Sequence, residues 1–327
     1  MKKGMIGILM VVLCLAAVVP MASAGDPLVI GLPTWVGNGP LYLARDKGYF
    51  GDLKVDLKIM DDITMRFAAL YSKKLDGVST VISSFVLLSK KHVPCKMVMA
   101  LDDSYGGDGI LAKKSIKSLK DLKGKKVAYK FGSASEWFLV HLLKKVGLSI
   151  KDIKSINMEP GAAGTTFIAG KVDAAVTWEP YLTKGKNTPH GHLLIDSRKT
   201  PMLIMDTVLF RDEVIKKRPA DVKKFVKGVL KAIDFYKKHP DQSYAIMAKG
   251  IGGWLKKPKA FAETMKGVRL YDLKFNKKFF GTPQKPGDVY KALKDRIEVW
   301  ESLKKLTWHP KPEDFFDSSF IAGIKGL

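Results

Sequence analysis

The sequence predicts an α/β protein built as two lobes joined by a two-segment hinge, and three observations carry that reading. Short apolar runs alternate with amphipathic helical segments, which is the α/β signature. The chain has 327 residues, of which about 300 follow a leader, more than one hydrophobic core usually organises. Glycine- and proline-bearing junctions near Ser104–Asp108 and near Pro201–Asp206 interrupt the alternation, so the chain crosses between lobes twice. The expected boundaries are 25–106 and 204–327 for the two parts of the first lobe and 107–203 for the inserted lobe. Two crossings between the same lobes make a hinge.

The elements follow in order. A strand is predicted over 28–32, and Gly39-Pro40 then opens a helix, because proline's fixed φ suits the first helical position. Next come a strand over 55–60, a helix over 64–73, a strand over 77–82, a helix over 84–91 and a strand over 96–101. The inserted lobe reads as strands over 125–129, 153–157 and 172–177, separated by helices over 135–146 and 161–168. A helix starts at Pro180, and a Lys-, Asn- and Gly-rich loop runs through Gly191. After Thr200-Pro201 an apolar stretch leads into helices almost to the end. There Val289, Leu293, Ile297 and Trp300 share one helical face, turned toward the first lobe.

The N-terminus reads as a signal peptide over 1–24. Lys2 and Lys3 precede an apolar run from Met5 to Met21, and Ala22-Ser23-Ala24 forms a small-x-small cleavage site. Leu13 stands before Cys14 where the usual lipid-attachment motif has a small residue, which argues against a lipid anchor. The exported chain would keep Cys95 alone, too few cysteines for an internal disulfide or a cysteine metal cluster. Nothing after Met21 is long and apolar enough to cross a bilayer.

The formal charge of +24 raises the possibility of nucleic acid, which is recognised through clusters of Lys and Arg. Export and the distribution of the charge both oppose it. Between Asp221 and Lys238 the apolar Val222, Phe225, Val226, Val229, Leu230 and Ile233 follow helical spacing, while lysines fill the other side. Most of the charge is therefore a solvated surface, and the remainder steers anions or meets an anionic membrane.

In α/β sheets the ligand crevice lies beyond the carboxyl ends of the strands, where helix N-termini point their amides outward. Residues at those ends are the candidates: Trp35 and Asn38, then Ser83 and Ser84, then Asp103, Ser104 and Asp108. The inserted lobe adds Ser133, Ser135, Thr177, Trp178 and Glu179, and Asp206 stands at the second crossing. Each also has a structural reading. The serines suit helix N-caps, Glu179 suits capping its own helix, the aspartates suit bonding turn amides, and the tryptophans suit a core. Enzyme motifs are missing. Tyr42 stands where a dinucleotide fingerprint starting at Gly37 needs its third glycine, and there is neither a P-loop nor a G-x-S-x-G elbow. His190 and His192 read as a surface pair, so no catalytic residue, cofactor or metal is expected.

Several segments resemble a known family. Pro40-Leu41-Tyr42-Leu43-Ala44 followed by Lys47-Gly48-Tyr49-Phe50 is similar to the opening helix of nitrate-, sulfonate- and taurine-type binding proteins of ABC importers. Asp103-Ser104-Tyr105-Gly106-Gly107-Asp108, Leu122-Lys123-Gly124-Lys125-Lys126-Val127-Ala128 and the run from Phe167 to Pro180 resemble further family segments in the right order. The resemblance implies a periplasmic binding protein of the second topological type. It also implies a small polar solute held between the lobes and a permease partner; the signal peptide makes the expected location periplasmic, and a monomer is expected. Acidic residues among serines and glycines favour a taurine-like, amine- or amide-bearing solute over nitrate or another oxyanion; a thiamine-pyrimidine precursor is a further alternative. The superfamily also includes enzymes of thiamine-pyrimidine synthesis, whose cysteine-rich iron motif this sequence lacks.

Overall fold

The computed structural model describes residues 25–327, so the leader and Cys14 lie outside the described residues. Six strands form the first sheet: β1 (Leu28–Leu32), β2 (Val55–Ile59), β3 (Gly77–Val81), β4 (Cys95–Ser104) and, from far downstream, β10 (Met205–Arg211) and β11 (Val268–Leu270). Five form the second: β5 (Asp108–Lys113), β6 (Lys126–Tyr129), β7 (Lys154–Asn157), β8 (Ala174–Trp178) and β9 (Gly191–Asp196). The sheet orders are β11-β4-β10-β3-β1-β2 and β7-β6-β8-β5-β9. Helices connect the parallel neighbours β1, β2 and β3, as parallel pairing requires. Strand β10 runs antiparallel between β3 and β4. Met97, Val98, Met99, Ala100 and Leu101 on β4 are all fully buried, as a strand covered on both faces must be.

The chain changes sheets between Ser104 and Asp108 and again between Asp196 and Met205. The two crossing segments lie side by side. The Ser104 amide donates to the Ile204 carbonyl at 3.0 Å, the Gly106 amide donates to Ser197 Oγ at 2.7 Å, and the two serine hydroxyls are 2.9 Å apart. Gly106 has φ of 108°, a conformation that only glycine adopts without strain. A Cβ on Gly107 would stand 2.6 Å from Trp35 Cη2 and 2.9 Å from the Gly267 carbonyl. Gly107→Ala is therefore expected to cost about 1–3 kcal/mol through overpacking. Denaturant unfolding checks it; an unchanged midpoint would mean that Trp35 swings aside freely.

The lysine-rich helix Pro219–Lys238 turns its apolar face inward, with Phe225 stacked on Phe50 at 5.3 Å. Near the C-terminus, helix Asp288–Ser302 buries Val289, Leu293, Ile297 and Trp300, the four residues whose spacing predicted it. Trp300 Nε1 donates to the Ser83 carbonyl at 2.9 Å, and its ring packs 5.5 Å from Trp137 on the inserted lobe. Among the described residues no helix is long and apolar enough to cross a membrane.

Some elements depart from the sequence reading. The loop expected through Gly191 ends there: Gly191–Asp196 is strand β9, at the sheet edge and mostly half-buried, so its apolar signal is weak. Strand β5 was not anticipated, and β4 runs three residues past Leu101. The helix expected from Ser84 begins at Ile82, with Val81 in the N-cap position. Ser83 and Ser84 thus lie inside its first turn and do not cap it.

Candidate ligand-binding cleft

Where the crossings bring the sheets together, the carboxyl ends of β1 and β3 meet helix Ala134–Lys145 and helix Pro160–Ile168 of the second sheet around a cavity of about 60 Å³. Cavities for drug-sized ligands run to several hundred Å³, so the space suits a small solute. Trp35 and Trp178 face each other from opposite lobes, ring centroids 6.5 Å apart and planes at 46°. Trp35 Nε1 donates to Asp102 Oδ1 at 3.1 Å, which fixes that ring.

Of the residues expected at the site, Trp35, Ser84, Asp108, Ser133, Trp178 and Asp206 line the cavity. Asn38, Ser83, Asp103, Ser104, Ser135, Thr177 and Glu179 do not. Most of these seven are engaged elsewhere. The Asn38 amide donates to the Pro33 carbonyl at 3.0 Å and accepts from Ser79 Oγ at 2.6 Å. Asp103 is paired with Arg269 at 2.7 Å and accepts the Met202 amide at 3.0 Å, so it braces the second crossing. Ser104 Oγ accepts the Asp108 amide at 3.0 Å, and Thr177 Oγ1 donates to the Pro160 carbonyl at 2.6 Å. Glu179 folds back on its own helix, accepting from the Thr183 amide and hydroxyl. Ser83 and Ser135 are buried in the first turns of their helices. Ser133 keeps its capping role as well, since its hydroxyl accepts the Ser135 amide at 3.1 Å.

Sequence reasoning missed the cationic members of the lining. Arg66, on helix Ile63–Tyr71, is 3% exposed; its guanidinium donates to the Met60 carbonyl while Nε has no partner. Burial pulls its pKa down to about 10, against the opposing pull of Asp206 and its other acidic neighbours. Lys130 follows β6 and pairs with Glu159 at 2.6 Å and with Asp62, across the lobes, at 3.9 Å. Thr80 Oγ1 and Ser84 Oγ, also on the lining, are buried without partners. A buried polar atom left unpaired costs about 1–3 kcal/mol. Three on one small cavity demand a polar occupant.

The carboxylates are perturbed in the opposite direction. Burial pushes Asp108 up to about 7. Burial and then the nearby Asp108 push Asp206 up to about 7, although Arg66 opposes the shift. Asp102 is raised too, by burial first and then by Asp206. An acid whose pKa is raised on folding binds extra protons in the folded state. Its stabilising contribution is complete below about pH 4 and is lost as pH rises through 7. Asp108→Asn removes that dependence, so the variant should gain stability over the parent between pH 4 and 8. Thermal unfolding across that range tests it; a gap that does not change with pH would show Asp108 to be solvated.

Two α/β lobes joined by paired crossing segments, with unpaired donors and buried carboxylates turned into the gap, define a two-lobed α/β fold with a polar cleft between its lobes. Residues 36–243 match the family model described as NMT1/THI5 like, and the chain belongs to that family. It is 30% identical over 256 residues to a putative aliphatic sulfonates-binding protein of Bacillus subtilis, covering 74% of this chain and 76% of that one. It is 25% identical over 286 residues to the taurine-binding periplasmic protein of Escherichia coli, covering 84% of each. Yeast 4-amino-5-hydroxymethyl-2-methylpyrimidine phosphate synthases are similar at 27% over 225 residues, 63% of this chain and 65% of theirs. The crystal structure of the periplasmic aliphatic sulphonate binding protein SsuA from Escherichia coli superposes with a TM-score of 0.72 at 18% identity, over 91% of this chain and 99% of that one. The periplasmic binding-protein fold and the nitrate, sulfonate and taurine family implied by the sequence segments are both borne out.

Proposed function

We propose that the chain is the extracytoplasmic solute-binding component of an ABC importer and that it captures a small zwitterion of the taurine type. The observation that carries this reading is the pairing of opposite charges in one small cavity: Arg66 and Lys130 with Asp108 and Asp206, between two tryptophans. Desolvating a zwitterion costs several kcal/mol unless both ends find partners. The sulfonate end takes the free Arg66 Nε and the Ser84 and Thr80 hydroxyls; the ammonium end takes Asp108 and Asp206. Trp35 and Trp178 cover the solute's body, with a cation–π gain of ~0.5–2 kcal/mol at the amine. A bare oxyanion would leave the acidic pair without a partner, which ranks nitrate below an amino sulfonate.

The lobes close about the two crossings, and the closed form is what a permease recognises. The protein works as a monomer in the periplasm, with no nucleic acid, cofactor or turnover involved. The thiamine-pyrimidine relatives mark the alternative, binding of a pyrimidine precursor or its synthesis. The single cysteine of the described chain, Cys95, is buried with its thiol pushed up to about 12, unsuited to either metal or nucleophilic chemistry. Calorimetry of the mature protein against taurine, alkanesulfonates, amines, nitrate, sulfate and pyrimidines decides among these readings. Reversible binding of taurine-type solutes without turnover supports the proposal. Tight nitrate or sulfate binding, with none for taurine or amines, overturns it.

A further inference from the structure

A second cavity lies along the second crossing. It is a groove of about 650 Å³ between helix Ala134–Lys145 of the inserted lobe and helix Asp288–Ser302, floored by the second crossing from Lys199 to Leu203. Its walls carry Lys144, Lys145 and Lys199, with Arg296 at the base and only Asp295 and Glu298 opposing them. Arg296 is 5% exposed, and its Nη atoms donate to the carbonyls of Ala292, Met202 and Leu203 at 2.8–3.2 Å. Nε has no partner, and among the described residues no carboxylate forms an ion pair with the guanidinium, Asp295 acting on it only through space. Besides those carbonyls the guanidinium has the Trp137 ring, 5.4 Å from its Cζ, and the field of Asp295, so its charge is only partly compensated. The cationic groups of the two lobes also act on one another: His141 in the groove is held below its ordinary pKa by burial and then by Lys145, Arg296 and Lys144.

We infer that this groove is a second binding site, for a multivalent oxyanion, which bridges Lys144 and Lys145 on the inserted lobe to Arg296 on the other, with Lys199 of the crossing between them. Such a ligand completes the coordination of the buried Arg296 and takes up the excess positive charge of the walls. Because its partners sit on both lobes, its affinity depends on the angle between them. It therefore biases the opening equilibrium of the cleft.

The test is titration of the mature protein with inorganic phosphate and with pyrophosphate, at ionic strength held constant with KCl, by calorimetry and without any cleft solute. The expected result is saturable binding, tighter for pyrophosphate, weakened at least tenfold in Lys144→Ala/Lys145→Ala. Both lysines are exposed, and thermal unfolding of that variant verifies its fold. Lys90→Ala/Lys91→Ala removes two lysines outside the groove and should leave the affinity unchanged. Hydrogen exchange with pyrophosphate present should slow in both 134–145 and 288–302. No saturable binding, equal losses in the two double variants, an unaffected Lys144/Lys145 variant, or protection of one helix alone would each overturn the inference. Since no cleft solute takes part, these outcomes are independent of the reading of the cleft.

Discussion

Trp300→Ala should lower the free energy of unfolding by about 3–5 kcal/mol, the usual cost of emptying a large buried aromatic site. Trp300 is completely buried, and the truncation removes three things together. It deletes the ring that packs against Trp137 of the inserted lobe, takes the donor from the Ser83 carbonyl, and leaves a cavity between helix Asp288–Ser302 and helix Ile82–Leu88. Urea denaturation measures the loss. Because Ser83 adjoins Ser84 on the cleft lining, solute affinity should fall as well. A loss under about 1 kcal/mol would mean that the surrounding helices collapse onto the vacated space.

Asp108→Asn is expected to weaken an ammonium-bearing solute by about 2–4 kcal/mol, roughly 30- to 1000-fold. Asparagine keeps the shape and removes the charge, so the change isolates the ion pair. In the parent protein the affinity should decline as pH falls below about 7, because Asp108 and Asp206 then take up protons and no longer attract a cation. The variant should retain only the part of that decline due to Asp206. Calorimetry at pH 5.5 and pH 8 provides both measurements. A loss of less than threefold would place the cationic end of the solute away from the hinge carboxylates. The same substitution stabilises the unliganded protein, the exchange of stability for function common at binding sites.

How far these features were legible in the sequence depends on whether local pattern or tertiary burial decides them. Strand β1 was read to the residue, because apolar Leu28–Leu32 is bounded by proline on both sides. Trp35, Asp108, Ser133, Trp178 and Asp206 were reachable from the rule that strand ends face the crevice, and all five line the cavity. Asp103 obeyed the same rule and went to Arg269 instead, a partner 166 residues away that no local pattern announces. Arg66 escaped notice because a charged residue on an amphipathic helix ordinarily faces water, and its burial is set by elements remote in sequence. Lys130 was hidden among 56 lysines and arginines. Strand β9 was obscured by the lysine, asparagine and proline just before it, and as an edge strand it needs little apolar surface.

The position of β10 governs the order in which the molecule can be assembled. It fills the place between β3 and β4, yet it is synthesised only after the entire second sheet. The strands of the second sheet are contiguous, so that sheet forms from nearby chain and can close early. The first sheet stays split, with edges of β3 and β4 unsatisfied, until Arg211 has emerged. On the export route proposed above, this delay keeps the chain open while it is threaded through the membrane. The same open edges make it dependent on protection from aggregation while it waits.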